Sequence, residues 1–361
     1  MLAISISLIV IGVARGYKNN IELEISNIEP DILLSHPEKD FIFSKDINSF
    51  INKNTSFASD SIIYAKYINS YAMIKKNNNS KGIMIYAMEK EKINQIFNFN
   101  YLEEYESSDN FLFISKSLYD KMILPEDEEL YIFNIERMLQ DETIQGIKND
   151  VTGIYETNIK TFDEKVIFMS LKSAQDLLQL DSKSYSGLMI ENANNDYLKK
   201  IESKSDFIYQ TWEEKHYNLL NWLMIFSNPI KLILIFILSL SIIYKVFTFW
   251  LILYDKTSSL SSLKILGVPD KIINKISLNI IILLSLFAIV SGSILALIIS
   301  SIQNAYQIIT VDPSIYILSN IYSIVLVSDI IYLSTSTLFI LILLTKIITY
   351  FKFKKIILTT H

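Results

Sequence analysis

The chain has 361 residues, half of them hydrophobic, with a mean hydropathy of +0.30 and a formal net charge of −5. That hydropathy is above the range of ordinary soluble domains, and the modest charge excludes a nucleic-acid footprint or an acidic tail. With no cysteine, disulfide frameworks, thiolate metal sites and cysteine nucleophiles are excluded together.

Residues 1–15 are apolar up to Arg15. A helix that crosses a bilayer needs about 20 apolar residues, so this stretch is short for a span. It reads either as a signal peptide or as a first transmembrane helix incomplete at its N-terminus. It has no basic leading segment, and Ser5, Ser7 and Gly12 give no A-x-A cleavage site, which favours the helix.

Residues 16–228 predict an α+β domain, because short apolar runs alternate with polar turns. Buried strands are expected at 62–64, 82–87, 111–114, 166–169 and 187–190. A helix is expected over 170–180, capped by Ser170 or Ser173, with Leu171, Ala174, Leu177 and Leu178 on one face. A turn is expected at 77–80 and a further helix over 199–204.

Three long apolar runs follow, at 229–254, 276–302 and 329–350, each long enough to cross a bilayer. Trp222 and Trp250 lie near the ends, where amphipathic rings favour the interface. Lys245 interrupts the first run, roughly 13 Å from Tyr254 at 1.5 Å per residue. It either makes a polar contact inside the bundle or reaches to the interface. Residues 315–327 read as an outer strand or a re-entrant segment.

Charge fixes the orientation. The 255–275 loop carries Lys256, Lys264, Lys271 and Lys275, and the 351–361 tail carries Lys352, Lys354 and Lys355, whereas 303–328 has neither lysine nor arginine. The positive-inside rule puts the loop and tail in the cytoplasm, and the 303–328 loop and 16–228 domain outside.

No chemistry is visible. There is no phosphate-binding G-x-x-x-x-G-K-[ST] sequence, and His36, His216 and His361 read as surface histidines without metal-site spacing. The acidic stretch 126–129 lacks the ligand spacing of a calcium loop and reads as a solvated turn. No catalytic residue, metal or cofactor is expected.

The 255–275 loop is the most informative stretch. Residues 256–267 predict a short helix with Thr257 or Ser258 near its start and Gly267 as a left-handed stop, after which Pro269 opens a second helix running into the next span. Leu260, Leu263 and Leu266 form an apolar edge suited either to a partner's groove or to the membrane surface.

Leu263-Lys264-Ile265-Leu266-Gly267-Val268, followed by a helix entering a span, resembles the coupling helix of FtsX-like ABC permeases, in particular the lipoprotein-releasing (LolC/LolE-like) branch. Gly16-Tyr17 with 21–25 resembles that family's exit from its first span, where a Gly-aromatic pair precedes a short helix. Gly153 to Thr157, Phe162-Asp163-Glu164 and 166–178 resemble the late part of its outer domain, and 211–222 resembles its approach to the second span.

The resemblance implies an α-helical membrane protein with one N-terminal and three C-terminal transmembrane helices. Between them it implies a large extracytoplasmic α+β domain of the MacB-like periplasmic core type. It implies a non-catalytic subunit in the bacterial inner membrane, paired with a second, identical or related, permease subunit. A separate cytoplasmic ABC ATPase would dock on Leu263, Lys264, Leu266, Gly267 and Val268. The implied cargo is a lipoprotein, drawn from membrane lipid and passed to a periplasmic carrier. Two features depart from the family: its first span begins well before the Gly-aromatic pair, and its coupling loops are often arginine-rich where this one has lysines. The rival readings are a related mechanotransmission permease for efflux or cell-wall hydrolase activation, and a membrane receptor or anchor with no ATPase partner.

Overall fold

The computed structural model describes residues 1–53, 62–76, 79–99, 101–105, 109–122, 129–135, 146–192, 207–312, 317–318 and 320–359. The turn expected at 77 and 78, the helix expected over 199–204 and the acidic residues 126–128 lie outside this set. The chain forms two compact units: Ile21–Leu220 with Val311–Ser319, and Met1–Asn20 with Asn221–Thr310 and Asn320–His361.

The first unit is α+β. Its strands are β1 (Ile32–Ser35), β2 (Ile42–Phe43), β3 (Ile63–Lys76), β4 (Asn79–Met88), β5 (Tyr101–Glu104), β6 (Leu112–Ser115), β7 (Glu129–Asn134), β8 (Gly146–Asp150), β9 (Gly153–Glu156), β10 (Val166–Ser170), β11 (Ser184–Tyr185), β12 (Gly187–Glu191) and β13 (Ile208–Thr211). One sheet runs β13-β1-β12-β3-β4-β10-β6-β9-β5, with β7 beside β3 and β8 beyond it, while β2 and β11 form a separate pair. The pairings are antiparallel except β10 with β4 and β6 with β9.

All five predicted strand segments lie in or overlap strands of this sheet. Residues of β10 alternate between the two faces of the sheet, and both faces are covered, so all five are buried. Ile167 and Met169 join Ile85, Leu112, Ile114, Ala174 and Leu177 in one aliphatic core. Phe168 turns the other way into an aromatic cluster, with ring centroids 4.9 Å from Phe97 and 5.2 Å from both Phe99 and Tyr155. A smaller core gathers Ile32, Leu34, Ile47, Phe50, Leu188 and Ile190.

Seven helices complete the described part of the unit in chain order: the end of α1 (Leu2–Ile28), then α2 (Ser44–Lys53), α3 (Lys90–Ile96), α4 (Lys116–Met122), α5 (Lys160–Asp163), α6 (Leu171–Leu178) and α7 (Trp212–Lys215). The expected 170–180 helix is α6, with Ser170 as its N-cap accepting from the Ser173 N–H, and Ala174, Leu177 and Leu178 are buried as their spacing demands.

The helical unit holds most of four helices long and apolar enough to cross a membrane: α1, α8 (Tyr217–Asp255), α10 (Asp270–Tyr306) and α11 (Val327–Thr359), with the short α9 (Thr257–Ile265) between α8 and α10. Ile4 and Leu8 of α1 pack with Ile289 and Ala296 of α10, and Phe249 and Leu253 of α8 pack with Ile281 of α10. Several hydroxyls inside these helices bond back to carbonyls one turn earlier, as Ser285 does to Ile281 and Thr345 to Leu341, which satisfies them without water.

Two helices run past the ends of the spans expected from sequence. The first span was expected to cover residues 1–15, with a separate short helix after Gly16-Tyr17, but α1 is unbroken to Ile28. No proline interrupts residues 16–28, and Ile21, Ile25 and Ile28 recur at helical spacing and are buried, which outweighs the ~1 kcal/mol helical penalty of Gly16. The second long helix was expected to start at Pro229, but α8 begins at Tyr217 and carries Pro229 inside it. Proline removes one N–H bond without ending a helix whose neighbours on both sides continue. Among the described residues of the segment expected as an outer strand or re-entrant stretch, Asn320 makes an isolated bridge to Thr310, and 321–326 have no regular secondary structure up to α11.

Candidate functional site

Two constellations stand out, one in each unit. In the helical unit, α9 forms the corner between α8 and α10. It ends because Gly267 adopts φ +85, a left-handed conformation that an L side chain resists. The Leu266 N–H then bonds Ser262 O at 3.0 Å and the Val268 N–H reaches back to Leu263 O at 3.1 Å. The second bond spans the six residues of a Schellman turn and satisfies a carbonyl that the helix end would otherwise orphan. Pro269 then serves as N-cap of α10.

This turn fixes an apolar edge in the open. Leu263 is 38% exposed, Leu266 78% and Ile265 87%. Val268 is half-buried, and Gly267 faces open space, so its role is its backbone shape. The side chain of Lys264 lies outside the described set. Lys256, Lys271 and Lys275 are exposed around the corner. Of the five residues expected to dock a partner, Leu263 and Leu266 have exposed side chains, and Gly267 and the Val268 amide form the turn that ends α9. Ile265, more exposed than either leucine, falls off the Leu260–Leu263–Leu266 spacing.

In the α+β unit, Glu29 follows α1 directly and is almost fully buried. Lys215, the last residue of α7, donates to both its carboxylate oxygens, at 2.8 and 2.7 Å, and to Tyr86 Oη at 3.2 Å. His216 Nε2 lies 3.1 Å from Glu29 Oε1. Burial alone would raise the Glu29 carboxyl, but the hydrogen bond from His216 and the Lys215 charge outweigh it and hold it below the usual range. Burial likewise works against the Lys215 charge, and Tyr86 with Glu29 holds it above the usual lysine range. His216 was expected on the surface; it is instead half-buried against this carboxylate. Nearby, Asn158 Nδ2 donates to Glu24 on α1 at 2.6 Å, and the Asn98 N–H donates to Asn27 O at 2.7 Å. The stretch leaving α1 and the stretch entering α8 are therefore clamped together within one folded unit.

Lys245 is half-buried on α8 and lines a cavity of about 160 Å³ with Ile4, Leu238, Ser241, Ile289 and Thr337. Among the described residues, no group of three or more His, Asp and Glu is placed to hold a metal.

The chain matches no family model and no curated protein. It is similar to solved domains. The periplasmic region of MacB from Actinobacillus actinomycetemcomitans aligns with a TM-score of 0.36 at 11% identity, over 55% of this chain and 96% of that one. The extracellular domain of the noncanonic ABC-type transporter YknZ from Gram-positive bacteria aligns with a TM-score of 0.34 at 10% identity, over 50% of this chain and 98% of that one.

Proposed function

We propose that this chain is the membrane subunit of an ABC transporter that passes the work of a separate cytoplasmic ATPase to its α+β unit on the far side of the membrane. The observation that carries this reading is the corner at α9: an apolar edge of Leu263, Ile265 and Leu266, held rigid by the Gly267 turn and set among exposed lysines. An edge of this kind fits a groove on a partner, and the lysines put it on the cytoplasmic side. ATP hydrolysis belongs to the partner, and this subunit contributes no catalytic residue or cofactor. A second permease subunit, identical or related, completes the membrane part.

The cargo is a lipoprotein, released from the inner membrane toward a periplasmic carrier. This rests on the resemblance of Leu263 to Val268, and of the segments around Gly153 and Thr211, to lipoprotein-releasing permeases. Copurification from detergent tests the docking: an ATPase comes down with the wild type and is lost with Leu266→Asp while the fold is kept. An intact complex with Leu266→Asp overturns it. Photocrosslinking from the α+β unit tests the cargo: a lipoprotein adduct that disappears on ATP addition supports release, and an adduct with a hydrolase or efflux partner instead supports the related mechanotransmission role.

A further inference from the structure

Residues 320–326, which lead into α11, pack into the helical unit as a strap. Residues 321–326 run along α1 without regular secondary structure, and the fit leaves no room for side chains at its glycines: a Cβ on Gly12 would stand 2.7 Å from Ser323 Oγ, and one on Gly16 would stand 2.1 Å from Tyr322 O. The Ile324 N–H donates to Gly12 O at 2.9 Å. Arg15 donates to Ile324 O at 3.4 Å and makes a two-pronged ion pair with Asp329 at the start of α11, with Nη2 2.9 Å from Oδ1.

From the other side, α10 grips the same residues. Asn304 Oδ1 accepts from the Ser323 N–H at 2.8 Å while its Nδ2 donates to Ser323 O at 2.9 Å. The Ser300 and Ser323 hydroxyls are 2.9 Å apart. Gln303 Nε2 donates to Ile321 O at 3.1 Å and to Ile309 O at 2.8 Å. Non-helical backbone between apolar helices is tolerated only where its polar groups find protein partners, and a satisfied polar network of this kind is stiff.

Helix α8 is less embedded than α10: among its described residues only Leu223, Leu234, Phe249 and Leu253 are buried, and the cavity of about 160 Å³ lies along it beside Ile4, Ile289 and Leu341. We propose that the strap binds α1, α10 and α11 into one block, and that α8, with the corner helix α9 at its end, is the part that shifts against this block during transport. The proposal rests on the docking role given to α9 above, and it extends that role by naming which helix moves.

The absence of cysteine allows a direct test with paired cysteines in the full chain. Oxidised Ser300→Cys/Ser323→Cys ties the strap to α10, and oxidised Phe249→Cys/Ile281→Cys ties α8 to α10. Each is measured with the copurified ATPase and compared with its own reduced form. The expected result is that the first lock leaves ATP hydrolysis by the complex at the reduced level. The second should drop it to the level of the isolated ATPase. Arrest by the first lock, or indifference to the second, overturns the proposal. If no ATPase copurifies, the docking reading fails, and the block is judged separately by hydrogen exchange of the full chain. The Ser323 and Ile324 amides should then exchange as slowly as the middle of α10 and speed up with Asn304→Ala. Fast exchange in the wild type overturns the block.

Discussion

Lys215 Nζ sits 2.8 and 2.7 Å from the two carboxylate oxygens of Glu29, joining residues 186 positions apart in the chain. One residue follows α1 and the other closes the short helix before α8, so the pair clamps both ends of the α+β unit's main segment. A buried pair is worth most when neither partner is removed alone. Lys215→Met leaves the Glu29 carboxylate buried with His216 as its remaining close polar neighbour, and should destabilise the α+β unit by about 3 kcal/mol. The double variant Glu29→Leu/Lys215→Met should recover most of that loss. Calorimetry of the α+β transition in the detergent-solubilised chain checks both, and equal losses in the single and double variants would falsify the clamp.

The same clamp has a pH signature. The folded Glu29 carboxyl is held below its ordinary value of 4.5, so its contribution is fully present above that pH and is lost as pH falls through the lower folded value. The folded Lys215 is raised above 10.5, so its contribution is present below that pH and is lost as pH rises through the higher folded value. Glu29→Gln should therefore remove part of the acid sensitivity of the α+β transition below pH 4.5. An unchanged acid limb would contradict the assignment.

Asp163 gives the opposite slope. Its carboxyl is buried beside Thr157, which donates from its N–H at 3.2 Å and from its hydroxyl at 2.8 Å. Burial nonetheless pushes it from 3.8 up to about 7, with Glu156 and Glu164 adding to the rise. A carboxyl raised on folding binds more protons in the folded state than in the unfolded state across that window. Stability should fall as pH climbs from about 4 to about 7 and level off above it. Asp163→Asn keeps both acceptor contacts to its Oδ1, so its stability profile should be flatter over that window and higher than wild type at pH 8. A wild-type profile that rises over the window contradicts the argument.

Much of the α+β unit was legible because its strands are short apolar runs between polar turns, and 166–169 is buried on both faces in the way a continuous apolar run announces. The cap at Ser170 and the stop at Gly267 were legible for the same reason: each depends on residues within one or two turns. The Glu29–Lys215 clamp was not, because no local pattern tells a glutamate after one helix that its partner stands 186 positions later. His216 looked like an isolated surface histidine on the same ground. The strap was hidden too. Gly12 and Gly16 in an apolar helix show that something approaches closely, but not that it is the backbone of residues 322–324. The extension of α1 past Arg15 was hidden as well, because the apolar run ends there and the buried Ile21–Ile25–Ile28 spacing that carries the helix on lies in the α+β unit.

Phe168 is the centre of the aromatic cluster, touching Phe97, Phe99 and Tyr155 at ring distances of 4.9, 5.2 and 5.2 Å. Its truncation leaves a cavity among rigid rings that cannot collapse to fill it. Phe168→Ala should cost about 3–5 kcal/mol, whereas Phe168→Leu should cost less than half of that. The ordering, read from calorimetry of the same transition, is the decisive part: equal losses would place Phe168 in a site that relaxes freely.

Gly267 provides the sharpest test of the corner. Its φ of +85 allows the Val268 N–H to reach Leu263 O, and this bond fixes where Ile265 and Leu266 point. A Cβ at Gly267 meets nothing within 4 Å, so a larger residue there suffers no clash with its surroundings. Any effect of Gly267→Ala must therefore come from backbone strain, about 1–2 kcal/mol for an L residue in the left-handed region. β-Branched Gly267→Val should be worse, and Gly267→Asn, which tolerates that region, should be mildest. The order Asn, Ala, Val should appear in the yield of copurified ATPase while expression and membrane insertion stay level. If all three bind the ATPase as well as the wild type, the edge at Leu263 to Leu266 does not depend on the turn, and the corner is not the docking element.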